Sequence, residues 1–124
     1  MRALIVDDDT DIREVARLSL ELIGGWDVSV AECGSDAIEQ ARTRPPDVIL
    51  LDVMMPGIDG VATLRELADD PRTSRIPVIF LTAKTQVGER RRLEEGGACG
   101  LIAKPFDPLS LADDVEVILS ATQP

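Results

Sequence analysis

Histidine is absent from the 124 residues of this chain. Its absence excludes a Ser-His-Asp or Cys-His mechanism, a histidine-ligated metal, and a histidine that itself carries a phosphoryl group. The two cysteines, Cys33 and Cys99, lie far apart and show neither CxxC nor zinc-finger spacing. We therefore expect both to be small buried apolar residues without a metal or redox role.

Positive charge is scarce: 13 Lys and Arg residues face 23 Asp and Glu residues, which gives a formal net charge of −10 and a pI near 4.3. This balance argues against direct nucleic-acid binding and favours basic partners or bound cations. No apolar run approaches the roughly 20 residues that a membrane helix needs. Met1-Arg2 leads directly into a strand-like run without the features of a secretory signal, so we expect a cytoplasmic protein with no membrane contact.

The length allows one domain, residues 1–124, which should bury roughly two-thirds of the surface that its unfolded chain exposes. Apolar periodicity predicts five strand-helix units. The strands are expected at 3–7, 27–32, 48–52, 76–82 and 99–103. Three helices are expected to begin at the caps Thr10 or Asp11, Ser35, and Asp107 with Pro108; the third helix is expected at about 59–69 and the fourth at about 86–95.

Strands that are separated by single helices require right-handed crossovers and a parallel sheet with helices on both faces. The two most continuous apolar strands end at Asp52 and Thr82 and should be central, whereas 28–30 reads as an edge. We therefore predict an α/β, flavodoxin-like (βα)5 fold, a doubly wound five-stranded parallel sheet with strand order 2-1-3-4-5.

Polar side chains follow four of these strands. Asp7, Asp8 and Asp52 should meet where the first and third strands end, beside Thr82 and Lys104. At ~4–5 Å and an effective dielectric of ~20, each carboxylate pair costs on the order of 3–4 kcal/mol, so a divalent cation is expected to compensate. Oxygen ligands without His or Cys favour Mg²⁺ or Mn²⁺.

A simpler reading is that such an Asp-rich turn caps a helix and faces water. A calcium loop is excluded, although Asp7, Asp9 and Asp11 match D-x-D-x-D. Ile12 replaces the required Gly, and Leu18 stands where the bidentate Glu should be.

Asp52 is the candidate nucleophile, because a carboxylate can attack phosphorus to give an acyl phosphate; the alternative is a turn aspartate. Lys104 could neutralise one phosphoryl oxygen and Thr82 could donate its hydroxyl to another. The sequence thus favours a phosphoryl-transfer site.

The chain resembles, over essentially its whole length, a response-regulator receiver domain of two-component signalling. Four segments carry this resemblance, because they have the order and spacing of the family's motifs. They are Val6-Asp7-Asp8-Asp9, Leu51-Asp52-Val53-Met54-Met55-Pro56-Gly57, Leu81-Thr82-Ala83 and Lys104-Pro105-Phe106.

The resemblance implies that Asp52 accepts a phosphoryl group from a histidine kinase or phosphotransfer protein. It also implies metal ligation by Asp7, Asp8, Asp52 and the Met54 backbone carbonyl, with Thr82 as switch hydroxyl and Lys104 as phosphate-binding lysine. The protein would catalyse only its own phosphorylation and dephosphorylation, without turning over a separate substrate.

The resemblance further predicts a cis Lys104-Pro105 bond. It also predicts output through the fourth helix, fifth strand and fifth helix. Leu101 stands where the family often has an aromatic switch residue, and Met54 and Lys84 are expected to tune the loss of phosphate. Arg90-Arg91-Arg92 is read either as a solvated helix face or as a docking surface.

Two other functions would also draw on some of these residues. A dehalogenase-type phosphatase fails because Asp11 occupies the threonine position of its D-x-D-x-T pattern. A phosphate-independent docking module would tolerate loss of Asp52 or Lys104, yet every reactive position is filled. Because residues 120–124 form only a short tail, output is expected to pass through another protein unless this chain is a fragment.

Overall fold

The computed structural model describes residues 1–55, 57–83 and 87–122, and the side chains of 87–90 and 122 lie outside this description. Strands and helices alternate along the chain. The strands are β1 (Arg2–Val6), β2 (Asp27–Ala31), β3 (Val48–Asp52), β4 (Val78–Thr82) and β5 (Gly100–Ala103). The helices are α1 (Thr10–Leu22), α2 (Gly34–Thr43), α3 (Gly60–Asp69), α4 (Val87–Glu95) and α5 (Leu111–Thr122).

The five strands form one parallel sheet in the order β2-β1-β3-β4-β5, which confirms the predicted fold class and strand order. Every residue of β3 and β4 is buried, as expected of central strands covered on both faces. The edge strand β2 is covered less: Asp27 and Val30 are exposed, Val28 and Ser29 are half-buried, and Ala31 is buried. The register pairs Val6 of β1 with Leu51 of β3, so both strands end at the same rim.

Side chains of the central strands alternate between two hydrophobic clusters, one on each face of the sheet. Ile49 and Leu51 of β3 belong to the cluster that is covered by α2, α3 and α4, with Leu93 from α4. Val48 and Leu50 belong to the cluster that is covered by α1 and α5. This arrangement is the double winding that the sequence predicted.

Three predicted helix starts were wrong by a few residues. Asp9, not Thr10 or Asp11, caps α1, because its carboxylate accepts hydrogen bonds from the Asp11 and Ile12 backbone N–H groups at 2.9 and 3.3 Å. Cys33, not Ser35, is the cap position of α2 and makes no side-chain cap bond. Residues 108–110 form a turn on Asp107, so α5 begins only at Leu111.

The buried face of α1 also differs from the apolar stripe that a 3.6-residue period predicts, which is Ile12, Val15, Ala16, Ser19, Leu22 and Ile23. Ala16 and Ser19 are buried as expected, but Val15 and Leu22 are exposed and Leu20 is buried in their place. The Ser19 hydroxyl donates to the Pro108 carbonyl, which turns this face of α1 toward the segment before α5.

Three further packing predictions were wrong. The place of Trp26 after the Gly24-Gly25 turn predicts a partly buried lid, but Trp26 is 7% exposed and packs within the core. Cys33 and Cys99 are free thiols and half-buried rather than buried. Cys33 directly precedes α2, and its sulfur lies 3.3 Å from Ser35 Oγ. Cys99 directly precedes β5, and its thiol donates to the Val78 carbonyl at 3.3 Å.

Candidate functional site

Three carboxylates converge at the carboxyl end of the sheet. Asp7 directly follows β1, Asp8 comes next, and Asp52 is the last residue of β3. Each offers one oxygen, and these three oxygens lie within 4.8 Å of one another. Asp7 and Asp52 are only 1% and 6% exposed, whereas Asp8 faces solvent. The structure therefore brings together the three acids that the sequence placed at one rim.

Lys104 directly follows the carboxyl end of β5, and its side chain reaches this acidic cluster. Its ammonium Nζ donates to Asp7 Oδ2 at 2.6 Å and lies 3.1 Å from Asp52 Oδ1. Its backbone N–H donates to the Thr82 carbonyl at 2.9 Å, which ties it to the end of β4. The Lys104-Pro105 peptide bond is cis, as the sequence predicted. One cation thus bridges two of the carboxylates.

Backbone groups fix the two buried carboxylates. The Asp9 N–H donates to Asp7 Oδ1 at 2.9 Å, and the Met54 N–H donates to Asp52 Oδ1 at 3.3 Å. With Lys104 on Asp7 Oδ2, both oxygens of Asp7 are held. The contacts that Met54 and Lys104 make with Asp52 are both to Oδ1.

Burial and neighbouring charge set the protonation equilibria. Burial raises the pKa of Asp52, and the charge of Asp7 raises it further, against the opposing effects of Lys104 and the Met54 N–H. Burial by itself would lower the pKa of Lys104, but its bonds to Asp7 and Asp52 outweigh burial and raise that pKa. The ammonium is therefore charged at neutral pH and balances an acidic site.

Asp52→Asn should raise the free energy of unfolding of the metal-free protein at pH 7. Because the folded-state pKa of Asp52 is raised, its ionisation destabilises the fold as pH rises above the unfolded-state value of about 3.9. The gain should shrink as the pH falls and be nearly lost at about pH 3, where the Asp52 carboxyl is mostly protonated in both states. Urea unfolding in EDTA at both pH values measures it, and a variant less stable than wild type at pH 7 would contradict this prediction.

The remaining predicted site residues surround the cluster. Thr82 ends β4 and is buried, while the side chain of Met54 is exposed. Leu101 is half-buried and packs against the cluster under α2, α3 and α4. Lys84 lies outside the described residues, as does the Arg90 side chain; Arg91 and Arg92 are exposed on α4.

Two residues that touch the site received no role from the sequence. Arg13 Nη1 donates to the Asp7 carbonyl at 2.7 Å, and a Cβ on Gly60 would lie 2.3 Å from the Asp52 carbonyl oxygen. In the sequence, Arg13 lies near the start of the helix that follows Asp7 and Asp8, and Gly60 lies at the start of the helix predicted from about residue 59. These positions near the starts of helices were the only sequence signals for the two residues, and a position near a helix start does not predict a contact with Asp7 or Asp52.

The fold and this rim of acids define a class of protein: the receiver domain, the phosphoacceptor switch of two-component signalling. The model of the response regulator receiver domain family matches residues 3–116, and the chain belongs to this family. The resemblance stated from the sequence is therefore confirmed.

Named relatives of this chain are also response regulators. The chain is 43% identical over 112 residues to the response regulator PleD of Caulobacter vibrioides, covering 89% of this chain and 24% of PleD. It is 40% identical over 121 residues to the phosphate regulon transcriptional regulatory protein PhoB of Pseudomonas aeruginosa, covering 98% of this chain and 52% of PhoB. The chain therefore spans about a quarter to a half of these curated relatives.

Solved structures give the same fold. The chemotaxis protein CheY4 of Vibrio cholerae superposes with a TM-score of 0.88 at 28% identity, covering 94% of this chain and 97% of that one. None of the helices described here has the length and apolar content of a membrane span.

Proposed function

We propose that Asp52 is the phosphoacceptor of this receiver domain and that residues 1–124 act as one switching unit. An Asp52 carboxylate oxygen attacks the phosphorus of a phosphohistidine on a histidine kinase or phosphotransfer protein. The new P–O bond forms as the P–N bond breaks, and the electron pair stays on the imidazole nitrogen, which then takes up a proton. The observation that carries this proposal is Asp52 itself, which is buried at a strand end beside Asp7 and the Lys104 ammonium.

Lys104 and Thr82 stabilise the charge that grows on the phosphoryl oxygens in this proposal. Lys104 already lies 3.1 Å from the attacking carboxylate, so its ammonium is in place before the donor arrives. Thr82 ends the neighbouring strand and offers a hydroxyl at the same rim. Groups that are fixed in advance cost no reorganisation during the reaction, which is why they accelerate it.

Asp7, Asp8, Asp52 and the Met54 backbone carbonyl would hold Mg²⁺, and Mn²⁺ fits the same ligands. The donor set supports this assignment, because three carboxylate oxygens within 4.8 Å suit a hard divalent cation. When bound, Mg²⁺ supplies positive charge that offsets repulsion between these acids and an incoming phosphoryl group. The protein residues orient and shield this site.

For output we propose the face formed by α4, β5 and α5. Val117 is 67% exposed there, and a cavity of about 430 Å³ lies between β5 and α5, beside Leu101, Phe106 and Ile118. Phosphorylation would shift this face between two conformations with different affinity for a partner, in the cytoplasm and without turnover of a separate substrate.

Incubation with Mg²⁺ and acetyl phosphate, read by intact mass, tests the acceptor. Wild type should gain one phosphoryl group only when Mg²⁺ is present, and Asp52→Asn should gain none. Asp69→Asn is the matched control, because Asp69 is exposed and is the last residue of α3, at the opposite edge of the sheet from Asp52. Equal labelling of wild type and Asp52→Asn would refute the assignment of Asp52.

A further inference from the structure

We infer that Arg13 is a positioning residue that holds the Asp7-Asp8 turn in the shape that binds a divalent cation. This inference rests on the metal site of the proposed function. Arg13 lies in the second turn of α1, and its side chain is 13% exposed. Its contacts are to the loop that carries the acids.

The Arg13 guanidinium joins three segments at this rim. Nη1 donates to the Asp7 carbonyl at 2.7 Å, at the end of β1. Nη2 donates to Thr10 Oγ1 at 3.2 Å in the first turn of α1 and lies 3.9 Å from Glu32 Oε1, just beyond β2. A planar fork with several donors can fix such an arrangement, which a single ammonium reproduces less well.

The Asp7 carbonyl belongs to the peptide unit that leads into Asp8. That unit is planar, so fixing its oxygen fixes the direction in which the chain continues to Asp8. The Asp7 N–H is held by the Ala31 carbonyl at 3.2 Å, and the Asp7 side chain is held by Asp9 and Lys104. Arg13 therefore completes the restraint on the turn that presents the solvent-facing Asp8 carboxylate.

Positioning and charge have opposite consequences for Mg²⁺ binding. If Arg13 mattered only as a positive charge beside the acids, its removal would strengthen the binding of a cation. If it positions the Asp7-Asp8 turn, its removal would weaken that binding, because the Asp8 carboxylate would have to be ordered when the metal binds. The sign of the change in Mg²⁺ affinity therefore separates the two roles.

The test is a calorimetric Mg²⁺ titration of protein prepared free of metal. Arg13→Met should bind Mg²⁺ roughly ten-fold more weakly than wild type, and Arg13→Lys should fall between the two. Arg17→Met is the matched control, because Arg17 lies one turn further along α1 and pairs with Glu14 and Glu21 on that same helix. Its Mg²⁺ affinity should equal that of wild type.

Equal or tighter Mg²⁺ binding by Arg13→Met overturns the positioning role alone. Absence of Mg²⁺ binding by wild type overturns the metal site and this inference together. Thermal unfolding in EDTA establishes that each variant is folded. If Arg13→Met does not fold, Arg13→Lys tests the positioning role instead. Weaker Mg²⁺ binding by Arg13→Lys than by wild type supports this role, and equal binding overturns it.

Discussion

Gly60→Ala is expected to lower the free energy of unfolding by about 3 kcal/mol, at the upper end of the usual cost of overpacking. A Cβ at this position would lie 2.3 Å from the Asp52 carbonyl oxygen and 2.8 Å from the Val53 Cα. Both neighbours are backbone atoms, and the Gly60 N–H also donates to the Val53 carbonyl at 2.9 Å. Neither α3 nor the end of β3 can yield without breaking this contact.

The same change should displace Asp52 and slow labelling by acetyl phosphate, because the end of β3 positions the acceptor. Urea unfolding measures the stability, and intact mass against time measures the labelling rate. Gly96→Ala is the matched control: its Cβ would lie 3.3 Å from the nearest atom, the Leu93 carbonyl oxygen, so a small shift accommodates it. A Gly60→Ala protein as stable as Gly96→Ala would contradict the prediction.

Lys104→Met should slow phosphorylation from acetyl phosphate by about 100-fold or more at saturating Mg²⁺, the size of effect seen when one preorganised charge-stabilising group is removed. Methionine retains much of the apolar stem but loses the ammonium that lies 2.6 Å from Asp7 and 3.1 Å from Asp52. The growing charge on the phosphoryl group would then lose this fixed counter-charge. Single-turnover labelling, followed by intact mass, provides the rate.

A second readout separates this electrostatic role from a general loss of structure. Without metal, Lys104→Met should be less stable than wild type at pH 7, because two buried carboxylates face each other without the ammonium. The difference should narrow toward pH 4 as the Asp52 carboxyl, whose pKa is raised by burial, becomes protonated. Lys104→Arg, which keeps the charge, is the control for stability. A wild-type labelling rate in Lys104→Met would refute the role of Lys104.

Much of the fold followed from local pattern. The continuous apolar runs that end at Asp52 and Thr82 predicted the two central strands, and β3 and β4 are wholly buried. Alternation of strands and single helices then left few parallel topologies, because crossovers are right-handed. The observed order β2-β1-β3-β4-β5 is one of them.

Details that depend on helix rotation were not predictable in the same way. A helical period places Ala16 and Ser19 on one face of α1. Val15 and Leu20 flank that face on opposite sides, and the period does not show which flank is buried. Contact with the segment before α5 decides between them. Likewise, several polar residues near the start of a helix can cap it, and Asp9 does so because its extended backbone directs the carboxylate at two free N–H groups.

The sequence by itself determined the strands, their central or edge placement, and the convergence of Asp7, Asp8 and Asp52, because buried parallel strands release their next residues at one rim. Only the tertiary structure decided that Lys104, 97 residues from Asp7, bridges Asp7 and Asp52, and that Arg13 holds the Asp7 carbonyl. It also decided that α3 presses on the end of β3 at Gly60. Those contacts depend on ångström-scale distances between elements that pack together, which local pattern does not encode.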